Sequence, residues 1–279
     1  MTDIRSSTVV ITGGASGIGR LMALGFAARG ATVAILDVNL EGARIVAKEM
    51  QAATGREHAA FEVDITDRYA VAAVADQVRE AVGDPDVVVN NAGIISGGAP
   101  LLETPDELIE LTMGVNVLAL FWVTKAFLPA MVARDRGHVV TIASASGMVG
   151  VSRLVEYSAS KHAAIGFDES LRMELAELAP GVRTTIVNPF YIDTGMFDGV
   201  ATKVPWLLPI LDAQHVADRV IDAVATDRRR VTLPRAVNLL YPAHFLPVRV
   251  FDRIVNALGV NDTMREFKGR VPPESQVPS

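Results

Sequence analysis

The 279-residue sequence contains no cysteine. Disulfides, thiolate catalysis and cysteine-based metal centres are therefore excluded, while the cellular compartment stays open. No metal is expected. Long basic blocks are also missing. Arg228-Arg229-Arg230 reads as a solvated turn beside a strand, and 26 basic against 32 acidic groups give a net charge of −6. Nucleic acid is not expected as a partner. The N-terminal stretch MTDIRSSTVVITGG runs straight into a strand-like segment, without the charged and then apolar regions of a signal peptide. No uninterrupted apolar run reaches the ~18 residues of a membrane span, so no transmembrane segment is expected. The expectation is a cytoplasmic protein. No repeat or linker divides the chain, and its length and 50% apolar content suit one α/β domain.

What is present begins with a strand–turn–helix. Thr8 to Thr12 (TVVIT) is a short β-branched run, Gly13-Gly14-Ala15-Ser16-Gly17-Ile18-Gly19 follows, and Leu21, Leu24, Gly25 and Ala28 then recur at helical spacing. Glycines permit close backbone approach, and a helix N-terminus points free N–H groups at a phosphate. The spacing is Gly-x-x-x-Gly-x-Gly rather than the common Gly-x-Gly-x-x-Gly. A second strand, Thr32 to Leu36, ends at Asp37, 18 positions after Gly19. An acid about 20 residues beyond the glycines suits the ribose hydroxyls of NAD. The same charge opposes the 2′-phosphate of NADP by about 4 kcal/mol at ~4 Å and an effective dielectric of ~20. Positions 38 and 39 hold no cation to offset it. NAD is the expected cofactor.

Further strands are expected over His58–Val63, Asp86–Val89, Gly137–Ala143, Gly181–Asn188 and Val231–Leu233. Helices are expected from Leu40 to about Ala53, Arg68 to Val82 and Asp212 to Ala225. Thr104-Pro105-Asp106-Glu107 reads as a capping box opening one long helix to about Ala133. Asn116 lies inside that helix between apolar neighbours and is expected to point inward. Strands doubly buried and alternating with helices predict a doubly wound parallel sheet of about seven strands.

The stretch from Ser144 to Lys161 carries the chemistry. Tyr157 and Lys161, four positions apart, share one helix face. A phenol of pKa ~10 is a poor base at neutral pH, and a nearby ammonium favours the phenolate. Lowering it by about three units takes roughly 4 kcal/mol. Tyr-x-x-x-Lys alone also describes a packed aromatic beside a solvated charge.

Together, Thr12-Gly13-x-x-x-Gly17-x-Gly19, Asp64, Asn90-Asn91-Ala92-Gly93, Asn116, Ser144, Tyr157-x-x-x-Lys161 and Pro189…Thr194 resemble the short-chain dehydrogenase/reductases over roughly residues 5 to 235. The resemblance implies that Tyr157 exchanges a proton with the substrate oxygen, Ser144 hydrogen-bonds that oxygen, Lys161 tunes Tyr157 and holds the nicotinamide ribose, and Asn116 anchors a water. It also implies cofactor contacts from Gly13, Ser16, Gly17, Ile18, Gly19, Asp37, Asp64, Ile65, Asn91, Ala92, Gly93, Pro189, Ile192 and Thr194. Phe190 departs from the glycine common at that position. With the residues after it, it resembles the subgroup of retinol and 17-beta-hydroxysteroid dehydrogenases, which implies a bulky hydrophobic alcohol or ketone. Met148, Phe190, Phe197 and Trp206 are expected to line its pocket.

A lid is expected over about 194–214. Asn238 to Leu258 should form two helical pieces broken by Pro242 and Pro247, within a helical extension over about 236–258. Pocket cover, subunit contact in a homodimer or homotetramer, and a membrane surface are the roles open to it. One domain is expected over 1–260, with a partly disordered tail over 261–279. Sugar-nucleotide epimerases share the Tyr/Lys pair, but the lid lacks polar groups for a sugar diphosphate. A cofactor-sensing scaffold remains as a non-enzymatic alternative.

Overall fold

The computed structural model describes residues 2–95, 97–264 and 267. Seven parallel strands form one sheet: β1 (Thr8–Thr12), β2 (Thr32–Asp37), β3 (Ala59–Glu62), β4 (Val87–Asn90), β5 (Gly137–Ile142), β6 (Val182–Pro189) and β7 (Arg230–Leu233). Their order is β3-β2-β1-β4-β5-β6-β7. The winding reverses between β1 and β4, where Val9, Val10 and Ile11 pair with Val87, Val88 and Val89. Crossovers leave this pair on opposite faces, which opens a crevice beyond the carboxyl ends of the strands.

The helices sort by face. α1 (Gly17–Ala28), α2 (Leu40–Thr54) and α7 (Ala213–Ala225) cover one side through Met22, Phe26, Val46, Met50, Val220 and Ile221. α3 (Arg68–Val82), α5 (Ala119–Ala133) and α6 (Val155–Leu178) cover the other through Val74, Val78, Val123, Phe127, Met131 and Leu175. β1, β4 and β5 are accordingly almost wholly buried, whereas the edge strand β3 is only half buried. Local signals fix several helix starts. The side chains of Asn39, Asp67 and Asp212 accept backbone N–H groups at the first turns of α2, α3 and α7.

The region expected as one capped helix differs. Thr104 Oγ1 donates to Pro100 O instead of capping. α4 (Asp106–Met113) gives way to a π-helical turn over Gly114–Leu118 before α5. The extra residue per turn re-aims side chains, and such turns gather at functional sites. The stretch Asp106–Ala133 is long enough for a membrane span and contains an 18-residue window of mean hydropathy 1.7. In the fold its second half is a core helix, with Leu120, Val123, Phe127 and Met131 buried.

The carboxy-terminal part forms α8 (Leu240–Ala243) and α9 (Val248–Ala257). Pro242 lies inside α8 rather than breaking it, and Pro247 precedes α9. Of the tail expected from 261, Thr263 and Met264 are buried. Asn261 and Asp262 belong to a 3-10 turn over Val260–Asp262, and the expected disorder at 265, 266 and 268–279 lies outside the described residues.

Candidate active site

The crevice at the carboxyl ends of β1 and β4 is built by short contacts only glycine allows. Gly13 sits at φ +68°, a left-handed conformation. A Cβ on Gly19 would overlap the Gly13 carbonyl oxygen and stand 2.5 Å from Asn91 Nδ2. Asn91 Nδ2 donates to Thr12 O at 2.8 Å and to Gly13 O at 3.1 Å. Thr12 Oγ1 accepts from the N–H groups of Asn91 and Ala92, both at 3.0 Å. The glycine turn and the segment after β4 are thus tied together, and the N-terminus of α1 opens between them. This cradle fits a pyrophosphate on a helix N-terminus.

Asp37 stands at the end of β2. Its carboxylate accepts from Ala15 N and Asn39 N, both at 2.9 Å. The charge is therefore held at the rim of the glycine turn. Asp64, exposed, binds Thr66 N and Oγ1, while Ile65 beside it is buried. Ser16 is exposed at the start of α1, and Ile18 is half-buried. On the far side Gly17 approaches Thr194, whose Cβ would be 3.8 Å from an added Cβ. Ile192 is buried and pairs with Leu211.

The catalytic candidates meet at the carboxyl ends of β4 and β5. The π-helical turn sends Asn116 inward to 1% exposure. Its Oδ1 accepts from Ile94 N, and its Nδ2 donates to Ile94 O and to Ser160 Oγ at 3.0 Å. Ser160 Oγ in turn donates to Tyr157 O at 2.7 Å. Lys161 Nζ donates to Ile142 O at 3.0 Å and lies 5.7 Å from the centre of the Tyr157 ring. A Cβ on Gly93 would be 3.3 Å from both Lys161 Nζ and Asn116 Oδ1. That contact joins the reaction centre to the cofactor crevice. Ser144 lies two residues beyond β5, and its Oγ lies 3.5 Å from Pro189 O.

Burial dominates the electrostatics of the pair. Burial pushes the Tyr157 phenol well above its ordinary pKa, a hydrogen bond with Ser144 pulls it down, and Tyr191 raises it further. In the protein alone, Lys161 does not turn this phenol into a ready base. Burial also lowers Lys161 itself to about 8. Desolvation dominates for both groups, which lie at 5% exposure.

Beside Tyr157 lies an apolar cavity of about 190 Å3. Ser144 provides a polar point. Phe190, Phe197, Leu207, Leu208, Leu240, Phe251 and Val255 are among its walls. Phe190 and Phe197 are thus placed as expected. Met148, expected in the pocket, is buried but is not among the cavity walls, and its carbonyl accepts a hydrogen bond from His244 Nε2 at 2.7 Å. Trp206 does not line the cavity. It is 81% exposed, because the neighbouring Leu207 and Leu208 turn inward instead. Tyr191 was not anticipated. It is buried, stacks edge-on with Phe190 and Phe197, and its hydroxyl bonds Thr263 Oγ1 at 2.8 Å. No local pattern pairs positions 191 and 263. Ser160, within the Tyr-x-x-Ser-Lys string, had a readable signal in its spacing from Tyr157.

A family description, short chain dehydrogenase, matches residues 7–204. The chain belongs to the short-chain dehydrogenase family. It is an oxidoreductase acting on CH–OH groups with a nicotinamide dinucleotide. It is 42% identical to epidermal retinol dehydrogenase 2 of Mus musculus over 273 residues, 96% of this chain and 87% of that protein. It is 37% identical to retinol dehydrogenase 10 of Homo sapiens, over 95% of this chain and 86% of that protein. Among solved structures, a short-chain dehydrogenase from Burkholderia phymatum in complex with NAD superposes with a TM-score of 0.78 at 26% identity, over 88% of this chain and 95% of that chain. A metagenomic short-chain oxidoreductase in complex with NADP gives 0.71 at 30% identity, over 82% and 98%.

Proposed function

We propose that this enzyme interconverts a bulky, hydrophobic alcohol and its carbonyl compound, of retinoid-like character, with NAD as the partner. The observation that carries this reading is the apolar cavity opening directly on Ser144 beside the buried Tyr157. Mostly apolar walls with a few polar points, Ser144 among them, suit a lipophilic ligand held by its oxygen. The relatives named for retinol support the same substrate class. The NAD choice is supported by Asp37, fixed at the crevice rim with exposed Val38 and Asn39 after it and no cation beside it in sequence. A cytoplasmic site of action completes the reading.

In this reading Tyr157 exchanges the proton with the substrate oxygen, and Ser144 hydrogen-bonds that oxygen. When bound, the nicotinamide supplies the carbon that accepts or returns the hydride. Lys161, aligned by Ile142 O, holds the ribose and remains largely charged at neutral pH. Asn116 and Ser160 hold the polar wall behind the Tyr157 helix turn. Gly13, Ser16, Gly17, Ile18 and Gly19 hold the pyrophosphate side. Asp64, Ile65, Asn91, Ala92 and Gly93 face the adenosine and ribose side, with Pro189, Ile192 and Thr194 near the carboxamide.

Because burial holds the phenol protonated, alcohol oxidation should accelerate as pH rises above neutral, and carbonyl reduction should not. The test is NADH release from retinoids, steroids and long-chain alcohols by wild type and by Tyr157→Phe. Wild type should turn over at least one class, and the variant should lose about a hundredfold or more while retaining NAD. Undiminished turnover in Tyr157→Phe sinks the reading.

A further inference from the structure

Tyr191 is a buried wall of the apolar cavity that the chemistry above does not use. It follows Phe190 at the end of β6, and its ring packs edge-on against Phe197 with centres 5.0 Å apart. Phe197 packs edge-on against Tyr157 in turn, at 6.2 Å. The direction of the Tyr191 hydrogen bond follows from the hydrogen count. Thr263 Oγ1 donates to Val260 O at 2.8 Å. A hydroxyl has one hydrogen, so Thr263 has none left to give. Tyr191 is therefore the donor of its 2.8 Å bond to Thr263 Oγ1. Burial pushes the Tyr191 phenol up to about 12, although the Thr263 bond pulls it down, so this hydrogen stays in place at neutral pH.

A directed relay results: Tyr191 hydroxyl to Thr263 hydroxyl to Val260 carbonyl, buried throughout. It ends on a cavity wall, because Val255, Leu258 and Val260 all face that space. The same segment is threaded tightly. Gly259 sits at φ +75°, and a Cβ there would stand 2.7 Å from Lys203 Cβ. Ser152 N also donates to Asn261 Oδ1 at 3.1 Å, but that bond is exposed. Water replaces an exposed bond at little cost, whereas a buried donor left without an acceptor is expensive. The Tyr191 bond is thus the polar contact with most hold on this wall.

We propose that Tyr191 and Thr263 form a positioning pair whose bond holds the wall of Val255, Leu258 and Val260 in place, and so sets how tightly the enzyme grips the apolar part of its alcohol. Neither hydroxyl touches the reacting atoms. Wall contacts far from the carbinol carbon hold bound alcohol and transition state alike, so their loss raises KM far more than it lowers kcat. An alcohol too short to fill the cavity feels the wall least. The dependence on chain length rests on the substrate class proposed above, whereas the tie itself does not.

The test measures kcat and KM with NAD over a homologous series of secondary alcohols of increasing chain length. Tyr191→Phe keeps the ring and removes the hydroxyl, and Thr263→Val keeps the shape and removes the acceptor. Each should raise KM for the longest alcohol by about fivefold, Thr263→Val by more because it strands the Tyr191 hydrogen. The rise should shrink with chain length, and kcat should move far less than KM. The double variant should be no worse than Thr263→Val, since both changes break one bond. Thr263→Ser, which keeps the hydroxyl, should restore the wild-type KM. Hydrogen exchange over 255–264 should quicken in Tyr191→Phe. Unchanged KM in both single variants overturns the proposal, as do additive effects in the double variant or a Thr263→Ser as impaired as Thr263→Val. If wild type turns over short alcohols alone, the substrate reading fails, and the exchange experiment decides the tie: faster exchange upholds it and unaltered exchange rejects it.

Discussion

Replacing Asp37 with Asn tests cofactor choice at nearly constant side-chain volume. The asparagine removes the charge and keeps an acceptor oxygen for only one of Ala15 N–H and Asn39 N–H, both now bonded at 2.9 Å, so one of these bonds is lost with it. For a 2′-phosphate about 4 Å away, the lost repulsion is roughly 1 kcal/mol in water-like surroundings and about 4 kcal/mol at an effective dielectric of 20. Asp37 is half-buried at the mouth of the crevice, so the effect belongs in the lower part of that range. About 2 kcal/mol corresponds to roughly a thirtyfold gain in kcat/KM with NADP. Use of NAD should fall, because the acceptor for its ribose hydroxyls is weaker once uncharged. The assay is the kcat/KM ratio for the two cofactors with one alcohol, at low and high salt. An unchanged ratio, or equal use of both cofactors by wild type, refutes the reasoning.

Two further outcomes follow from the geometry. Gly19→Ala puts a methyl into the Gly13 carbonyl and Asn91, so the turn must open, and NADH affinity measured by fluorescence should drop at least tenfold with the far-UV spectrum preserved. His138, fully buried and bonded to Thr2 Oγ1 and Thr185 Oγ1, is lowered to about 4 by burial, with Asp227 opposing. The unfolded chain therefore takes up this proton first as pH falls from about 6.5 to 4, and stability is lost through that window, by about 3 kcal/mol at most. His138→Gln should flatten that part of a urea-denaturation pH profile, and a profile as steep as wild type would contradict the assignment.

How far the chain could be read alone varied by segment for physical reasons. β1, β4 and β5 announce themselves as β-branched runs because they are buried on both faces, and Asn39, Asp67 and Asp212 mark helix starts through bonds to the next few N–H groups. The capping box at Thr104 was misleading, since Thr104 finds a nearer carbonyl at Pro100. Trp206 shows the same weakness in the lid: an apolar string does not say which members turn inward, and Leu207 and Leu208 do so while Trp206 does not.

Periodicity, glycine spacing and the Tyr-x-x-x-Lys string are local properties, so one-dimensional order sufficed for the doubly wound sheet and for the residues around its crevice. Whether Tyr157 is acidic or basic was another matter. Its proton is governed by how deeply it is buried, by Ser144 and by Tyr191, and desolvation depends on all surrounding atoms at once. The Tyr191–Thr263 bond spans 72 positions, and the cavity wall unites Phe197 with Val255. Such neighbours have no repeating separation along the chain, and only packing in three dimensions brings them together.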